Sequence, residues 1–185
     1  APRDPRILTN RATLRLERSD VVGAIEDYVA ALLHAPDDAD LHFNIAGALA
    51  IAGRLDEAMT HLEQAIELDP SHARALANLG NLYRQLGRTK ESRETLERAV
   101  EVAPGDPQVQ HSLGITLTDG RDYVAAAARF RRALELDKGF IRTAAQLFYA
   151  NIHACDWRDR DKLIGNFERL IDSGAPGVSE LSPLI

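Results

Sequence analysis

The sequence has little of several features that other classes of protein need. Its single cysteine, Cys155, cannot form an internal disulfide, so folding does not require an oxidising compartment and we expect a cytoplasmic location. Lysine and arginine number 22 against 28 aspartates and glutamates, which gives a net charge of −6. Because binding to a nucleic-acid backbone normally needs a basic face, we expect no nucleic-acid partner.

Long apolar runs and aromatic residues are also scarce. The longest apolar run, around Ile45 to Ala52, is far shorter than the roughly 20 residues that span a bilayer. We therefore expect no membrane partner. Aromatic residues make up 5% of the chain while alanine and leucine are plentiful, a composition that favours helices packed closely through small side chains.

Patterns that signal catalysis or metal binding are missing as well. None of the six histidines lies three or four residues from another, or at a cysteine–histidine spacing typical of zinc sites. No glycine-rich phosphate loop and no recognisable nucleophile motif is present. Carboxylates such as Asp56 and Glu63 recur between apolar positions, as on solvated helix faces. The sequence predicts no catalytic residue, no metal and no cofactor in this chain.

What the sequence does contain is a period of 34 residues. Four independent columns share this period, which makes chance an untenable explanation. The columns are Pro36, Pro70 and Pro104; Ala31, Ala65, Ala99 and Ala133; Ala24, Ala58, Ser92 and Ala126; and Tyr28, Leu62, Leu96 and Phe130. We number repeat positions so that the proline is position 32. This gives four repeats (5–38, 39–72, 73–106 and 107–140), a degenerate fifth repeat or capping helix pair (141–173), and a tail or linker (174–185).

Within each repeat the apolar spacing is helical. In the second repeat, Leu41, Ile45 and Leu49 form one stripe, and Gly53 ends the helix because glycine accepts the left-handed conformation. A second helical stripe follows until Pro70, which cannot continue the hydrogen-bond ladder. Each repeat is therefore predicted to be a pair of antiparallel helices, and the chain to be all-α.

This pattern resembles the tetratricopeptide repeat family. Repeat positions 8, 20 and 27 carry the small residues typical of that family. They are Ala46, Ala58 and Ala65 in the second repeat and Gly80, Ser92 and Ala99 in the third. The resemblance implies a right-handed superhelical solenoid of helix-turn-helix repeats, in which the first helix of each pair lines the concave side.

Repeat position 6 offers a candidate binding site. Asn10, Asn44 and Asn78 recur there as an asparagine ladder, with Ser112 in the fourth repeat. An amide is both donor and acceptor, so a row of amides suits the N–H and C=O groups of an extended peptide. In the alternative interpretation each asparagine bonds the neighbouring helix. Arg74, Asn81 and His111 are placed beside the ladder. The predicted partners are protein or peptide clients.

The segment after the repeats carries a second resemblance. In register, Cys155 falls in the turn, Asp156 at a helix-capping position and Trp157 in a packing column, while Arg160 replaces a small residue. Cys155, Asp156, Trp157, Asp159 and Asp161, with Leu181–Leu184, are similar to the segment that joins the repeats to the catalytic domain in the O-linked N-acetylglucosamine transferase family. The resemblance implies that a glycosyltransferase domain, absent from these residues, follows Ile185.

Three functions are compatible with these observations. The first is the substrate-recognition region of an O-GlcNAc-transferase-like glycosyltransferase, binding extended peptide segments in its concave groove. The second is a stand-alone adaptor that assembles other proteins. The third is a self-associating module that forms a homo-oligomer through exposed apolar surface.

Overall fold

A computed structural model of the chain describes residues 4–156 and 164–165, with the backbone alone at Ile141. Over these residues the secondary structure is helical, with no strand. The helices are α1 (Pro5–Glu17), α2 (Val21–Leu32), α3 (Ala39–Ile51), α4 (Leu55–Leu68), α5 (Ala73–Gln85), α6 (Thr89–Val102), α7 (Pro107–Asp119), α8 (Tyr123–Leu136) and α9 (Ile141–His153). No helix within the described ranges has the length and apolarity to cross a membrane.

In each of the four full repeats the first helix begins at repeat position 1, directly after a capping residue. Asp4, Asp38 and Asp106 each accept a hydrogen bond from a backbone N–H of the first turn, and the His72 ring does the same for α5. These side chains satisfy N–H groups that have no partner inside the helix. One column of the repeat thus sets where four helices start.

The turn between the two helices of a pair is equally regular. Gly53 has a φ of 75°, as predicted for a residue that ends a helix. Position 15 has a positive φ in every repeat, at Ser19, Gly53, Gly87, Arg121 and Cys155. At position 16, Asp20 and Asp122 accept from the N–H of Gly23 and Ala125. Cys155 therefore occupies an architectural turn position rather than a nucleophile motif.

Several residues singled out by the sequence lie outside the described part of the chain. They are Trp157, Asp159, Arg160, Asp161, Leu181–Leu184 and the 174–185 tail. The second helix of the predicted fifth repeat belongs to the same group, apart from residues 164 and 165.

The chain divides into two compact units, Ala1–Leu86 and Gly87–Ile185. In the first unit each helix from α1 to α5 packs on the next one along the chain. The small residues at positions 8, 20 and 27 lie where these helices meet, and none is more than 1% exposed. They are Ala12, Ala24, Ala31, Ala46, Ala58 and Ala65. Small side chains permit the close approach of neighbouring helices that the repeat pattern predicts.

In the second unit α6 packs on α7, α7 on α8, and α8 on α9. Its centre is the ring of Phe130, which is fully buried and lies directly against Gly114 of α7. A buried hydroxyl pair joins α6 to α7, since Ser92 Oγ lies 2.9 Å from Thr116 Oγ1. This bond satisfies two polar groups that would otherwise be costly to bury.

Candidate functional site

In the first unit, one stripe of each first helix faces away from the packed core. Repeat positions 2, 6, 9 and 13 are spaced by four, three and four residues, so they share one helix face. Every residue of this first-helix stripe is exposed or half-buried. The stripe comprises Arg6, Asn10, Thr13 and Glu17 on α1; Asp40, Asn44, Gly47 and Ile51 on α3; and Arg74, Asn78, Asn81 and Gln85 on α5.

The asparagine ladder lies in this stripe with its amides unoccupied. Asn10 and Asn78 are exposed and Asn44 is half-buried. Throughout the described residues, none of the three makes a side-chain hydrogen bond, and the half-buried Asn81 makes none either. Bonding to a neighbouring helix, the alternative interpretation, is thus not seen in this structure. Each amide keeps both its donor and its acceptor for a ligand.

Arg74 supplies a positive charge one helical turn before Asn78. Its guanidinium lies over the ring of Phe43, with 4.4 Å between Cζ and the ring centroid. This cation–π contact restrains a side chain that is otherwise exposed. The Phe43 ring is itself buried and packs against His72, with centroids 5.1 Å apart. Arg74 is therefore held in place by a residue of the preceding repeat.

Gly47 leaves open space beside Asn44. It follows Asn44 by three residues on the same face of α3, and a Cβ atom built at this position would meet nothing within 4 Å. The first-helix stripe therefore has no side chain at position 9 of α3, next to Asn44. A side chain of a bound peptide would meet little steric resistance here.

Ser112 and His111 belong to the second unit. Ser112 is half-buried on α7. His111 Nδ1 lies 2.8 Å from Thr143 Oγ1 of α9, and its ring packs on Phe130 and Phe140 at centroid distances of 5.7 and 4.8 Å. His111 thus contributes to packing among α7, α8 and α9.

A histidine pair in the second repeat was not predicted from the sequence. His42 Nδ1 lies 3.0 Å from His61 Nδ1, and His42 Nε2 lies 3.2 Å from the carbonyl oxygen of Pro36. Because that carbonyl can only accept, His42 Nε2 donates to it and the Nδ1 of neutral His42 accepts from His61. Burial is the main reason that the pKa of His61 is lowered; repulsion from the neighbouring imidazole of His42 adds to the shift, and Glu57 opposes it. The two residues are 19 apart, a separation that local spacing rules do not cover.

An ion pair with a buried carboxylate in the first repeat was also not predicted from the sequence. The Asp27 side chain is 5% exposed and accepts two hydrogen bonds of 2.6 Å from Arg11, while Arg15 approaches within 3.4 Å. The hydrogen bond from Arg11 is the main reason that the pKa of Asp27 is lowered, and burial opposes it. This cluster joins α1 to α2. No group of three or more His, Cys, Asp or Glu side chains in the described ranges is placed to hold a metal ion.

Comparison with protein families identifies the repeat. Two models described as "Tetratricopeptide repeat" match residues 9–73 and 49–114, and together they cover more than half of the chain. The chain is a tetratricopeptide repeat protein. The predicted family resemblance is thereby confirmed, whereas the finer resemblance to O-linked N-acetylglucosamine transferase finds no specific match.

Two relatives show how local the sequence similarity is. The TPR repeat-containing thioredoxin TTL4 of Arabidopsis thaliana is 41% identical over 64 residues, which is 35% of this chain and 9% of that protein. Protein O-mannosyl-transferase TMTC1 of Homo sapiens is 47% identical over 49 residues, which is 26% of this chain and 6% of that protein. The tetratricopeptide repeat chain thus spans a small fraction of the length of these relatives.

Solved structures share the fold over nearly the whole chain. A MamA RS-1 double mutant superposes with a TM-score of 0.82 at 20% identity, covering 92% of this chain and 96% of that one. PilF of Pseudomonas aeruginosa gives 0.84 at 21% identity, covering 100% and 83%. YrrB, titled a TPR protein with an unusual peptide-binding site, gives 0.72 at 18%, covering 96% and 91%. At these identities the likeness shows the fold alone, and it confirms the predicted all-α tetratricopeptide solenoid class.

Proposed function

We propose that this tetratricopeptide repeat chain captures an extended segment of a protein client through the amides of Asn10, Asn44 and Asn78. The observation that carries the proposal is that these three amides recur at one repeat position and that none bonds any other residue the structure describes. A peptide in extended conformation presents unpaired N–H and C=O groups along its length. Amides can pair with both, so recognition makes little demand on the sequence of the client.

The surroundings of the ladder narrow the chemistry of the client. Arg74, fixed over Phe43, favours a carboxylate in the part of the client that contacts α5. The open space at Gly47 admits a side chain of the client beside Asn44. We therefore expect an extended segment that bears an acidic residue toward one end.

The double variant Asn44→Ala/Asn78→Ala tests the ladder. Each amide offers about two hydrogen bonds worth roughly 1 kcal/mol each, so the loss of both amides removes about 4 kcal/mol and we expect affinity to fall by about 1000-fold. The probe is an extended peptide selected on the wild-type chain from a random library, and fluorescence anisotropy measures its dissociation constant. Thermal stability should not fall, because the two amides bond no other described residue and alanine is the better helix former.

Gln64→Ala is the matched control for this test. Gln64 is an exposed amide on the second helix α4, away from the first-helix stripe, and bonds only the neighbouring Glu67. Its loss should leave peptide affinity unchanged. Wild-type affinity in the double variant, or an equal loss in the control, would count against recognition by the ladder.

The proposed parent of this chain is a glycosyltransferase-like protein, with the repeats as its substrate-recognition region in the cytoplasm. Support comes from the resemblance at Cys155 and Asp156 and from the 47% identity to a protein O-mannosyl-transferase over 49 residues. Any transfer of sugar would belong to residues outside this chain. Sequencing the coding region beyond Ile185 tests the proposal, and a stop codon directly after it would refute the parent while leaving peptide capture intact.

An exposed apolar face on α2 favours self-association as a second candidate. Val22, Val29 and Leu33 are 70%, 43% and 80% exposed and lie on one side of the helix. The other repeats carry mostly charged residues at the same positions: Asp56 and Lys90, Glu63, Glu97 and Arg131, and Glu67, Glu101 and Glu135. A second copy of this chain would offer an apolar face of its own to cover this one.

The variant Leu33→Glu, which copies the residue of the later repeats, tests this pairing. Burying a carboxylate without a partner is costly, so we expect the variant to be monomeric where the wild type is a dimer. Light scattering over a concentration series measures the mass of both. Leu68→Glu, at an exposed site on α4, is the control and should leave the dimer intact. A wild type that is monomeric at all concentrations would rule this candidate out.

A further inference from the structure

We propose that α1 is the packing surface for the second helix of a preceding tetratricopeptide repeat in the same polypeptide. Two large apolar residues of α1, Ile7 and Leu14, are 52% and 54% exposed. In later repeats the same two positions are buried. Position 3 holds Leu41, Ala75 and Val109, at most 2% exposed, and position 10 holds Ala48, Leu82 and Thr116, at most 6% exposed.

The second helix of the preceding repeat accounts for this burial. Helix α3 packs on α2, α5 on α4, and α7 on α6. Among the residues that the structure describes, no helix precedes α1 and packs on it in this way, yet its sequence still provides apolar side chains at the same positions. The terminal repeat of a solenoid normally presents a polar outer face. The face formed by Ile7 and Leu14 is instead that of an internal repeat.

Contacts within each unit show how such a helix would be aligned. Tyr83 at position 11 donates to Glu63 at position 25 of the preceding repeat, over 3.2 Å. Arg131 and Asn151 repeat this pairing of positions 25 and 11. Ser92 at position 20 bonds Thr116 at position 10. In the proposed preceding helix, the residue at position 20 would therefore contact Leu14, and the residue at position 25 would contact Arg15.

This alignment fixes the chemistry of the partner helix. Position 20 is small in all four repeats, at Ala24, Ala58, Ser92 and Ala126. Position 25 would face the guanidinium of Arg15, which is one-third exposed and pairs with Asp20 and Asp27, so an acidic residue there would extend this ion-pair cluster. A second copy of α1 fits poorly, because Arg11 and Arg15 would then face the same arginines.

The residues ahead of α1 indicate that the helix belongs to the same polypeptide. Ala1-Pro2-Arg3-Asp4 matches Ala35-Pro36-Asp37-Asp38 and Ala103-Pro104-Gly105-Asp106 at three of four residues. The latter two stretches join α2 to α3 and α6 to α7. The sequence before α1 is thus the one that elsewhere connects a second helix to the next first helix.

A chain extended by one helix tests this proposal. A copy of Arg54–Leu68 is placed directly before Ala1, so that its Leu68 takes position 30 and Ala1 keeps position 31. The copy brings Ala58 to position 20 and Glu63 to position 25. Because Ile7 and Leu14 become buried, we expect Tm to rise by about 5 °C over the 185-residue chain. Far-UV circular dichroism follows the melt.

Two comparisons make the result specific to the aligned interface. Inserting one alanine inside the copied helix, between Thr60 and His61, turns Ala58 by about 100° out of the face that carries Glu63, and this variant should show no rise in Tm. The substitution Leu14→Glu should change Tm little in the 185-residue chain and lower it by about 5 °C or more in the extended chain. Equal Tm values for the aligned and shifted extensions would overturn the proposal, as would an equal effect of Leu14→Glu in both chains.

Discussion

Replacing Gly114 with alanine is expected to destabilise the protein by roughly 1–3 kcal/mol, although alanine is the better helix former. A Cβ atom at this position would overlap Cε1 of Phe130 and lie 2.7 Å from its Cδ1. The ring cannot withdraw easily because it is fully buried and also packs on His111. Urea unfolding followed by circular dichroism measures the loss.

Two further variants show whether the ring causes the loss. Gly47→Ala, also within a first helix, should stabilise by about 0.5–1 kcal/mol, since its Cβ meets nothing within 4 Å. Gly114→Ala/Phe130→Leu recreates the pairing of Ala46 with Leu62 in the second repeat and should recover part of the lost stability. If Gly114→Ala alone is as stable as the wild type, α7 does not approach Phe130 as closely as described.

The helices could be predicted closely from the sequence because one period constrains every column at once. Capping aspartates, Gly53 in the turn and Pro70 after the second helix are local signals whose physical effect does not depend on distant residues. Helix α3 therefore ends just before Gly53, as the pattern of the second repeat predicts. Position 15 was harder to recognise where Ser19 and Arg121 replace glycine, since only the backbone reveals their positive φ.

The candidate site was less predictable because it depends on how side chains meet across helices. His42 with His61 and Arg11 with Asp27 pair over 19 and 16 residues, a separation set by the packing of two helices. The sequence also could not predict that the amide of Asn44 is free, because an asparagine at this position could equally bond the neighbouring helix. His111 was placed beside the ladder, yet it directly precedes Ser112, and adjacent residues point about 100° apart on a helix.

Replacing Asp27 with asparagine is expected to cost about 2–3 kcal/mol. The substitution keeps the shape of the side chain but turns one of its two acceptor oxygens into a donor. That donor then faces a guanidinium N–H of Arg11 or Arg15, which also donates, and the side chain at position 27 is too buried for water to pair with it readily. Urea unfolding at pH 7 measures the loss in the free energy of unfolding.

The control for this prediction has the same bonding geometry at the surface. Arg54 also donates two hydrogen bonds of 2.6 Å, to Glu57, but both side chains are about half exposed. Water can replace the interaction there, so Glu57→Gln should leave the urea midpoint unchanged. An equal loss in the two variants would mean that burial is not what makes the Asp27 pair important.

The dependence on pH separates the charge of Asp27 from its shape. Since the pKa of Asp27 is lowered in the folded protein, its carboxylate stabilises the fold fully above its unfolded pKa of about 3.9. That stabilisation is lost as pH falls through the lower folded value, because the protonated acid no longer pairs with Arg11. Asparagine does not titrate, so the difference between wild type and Asp27→Asn should shrink on acidification from pH 7 to pH 3. A difference that stays constant over this range would assign the loss to packing and not to the ion pair.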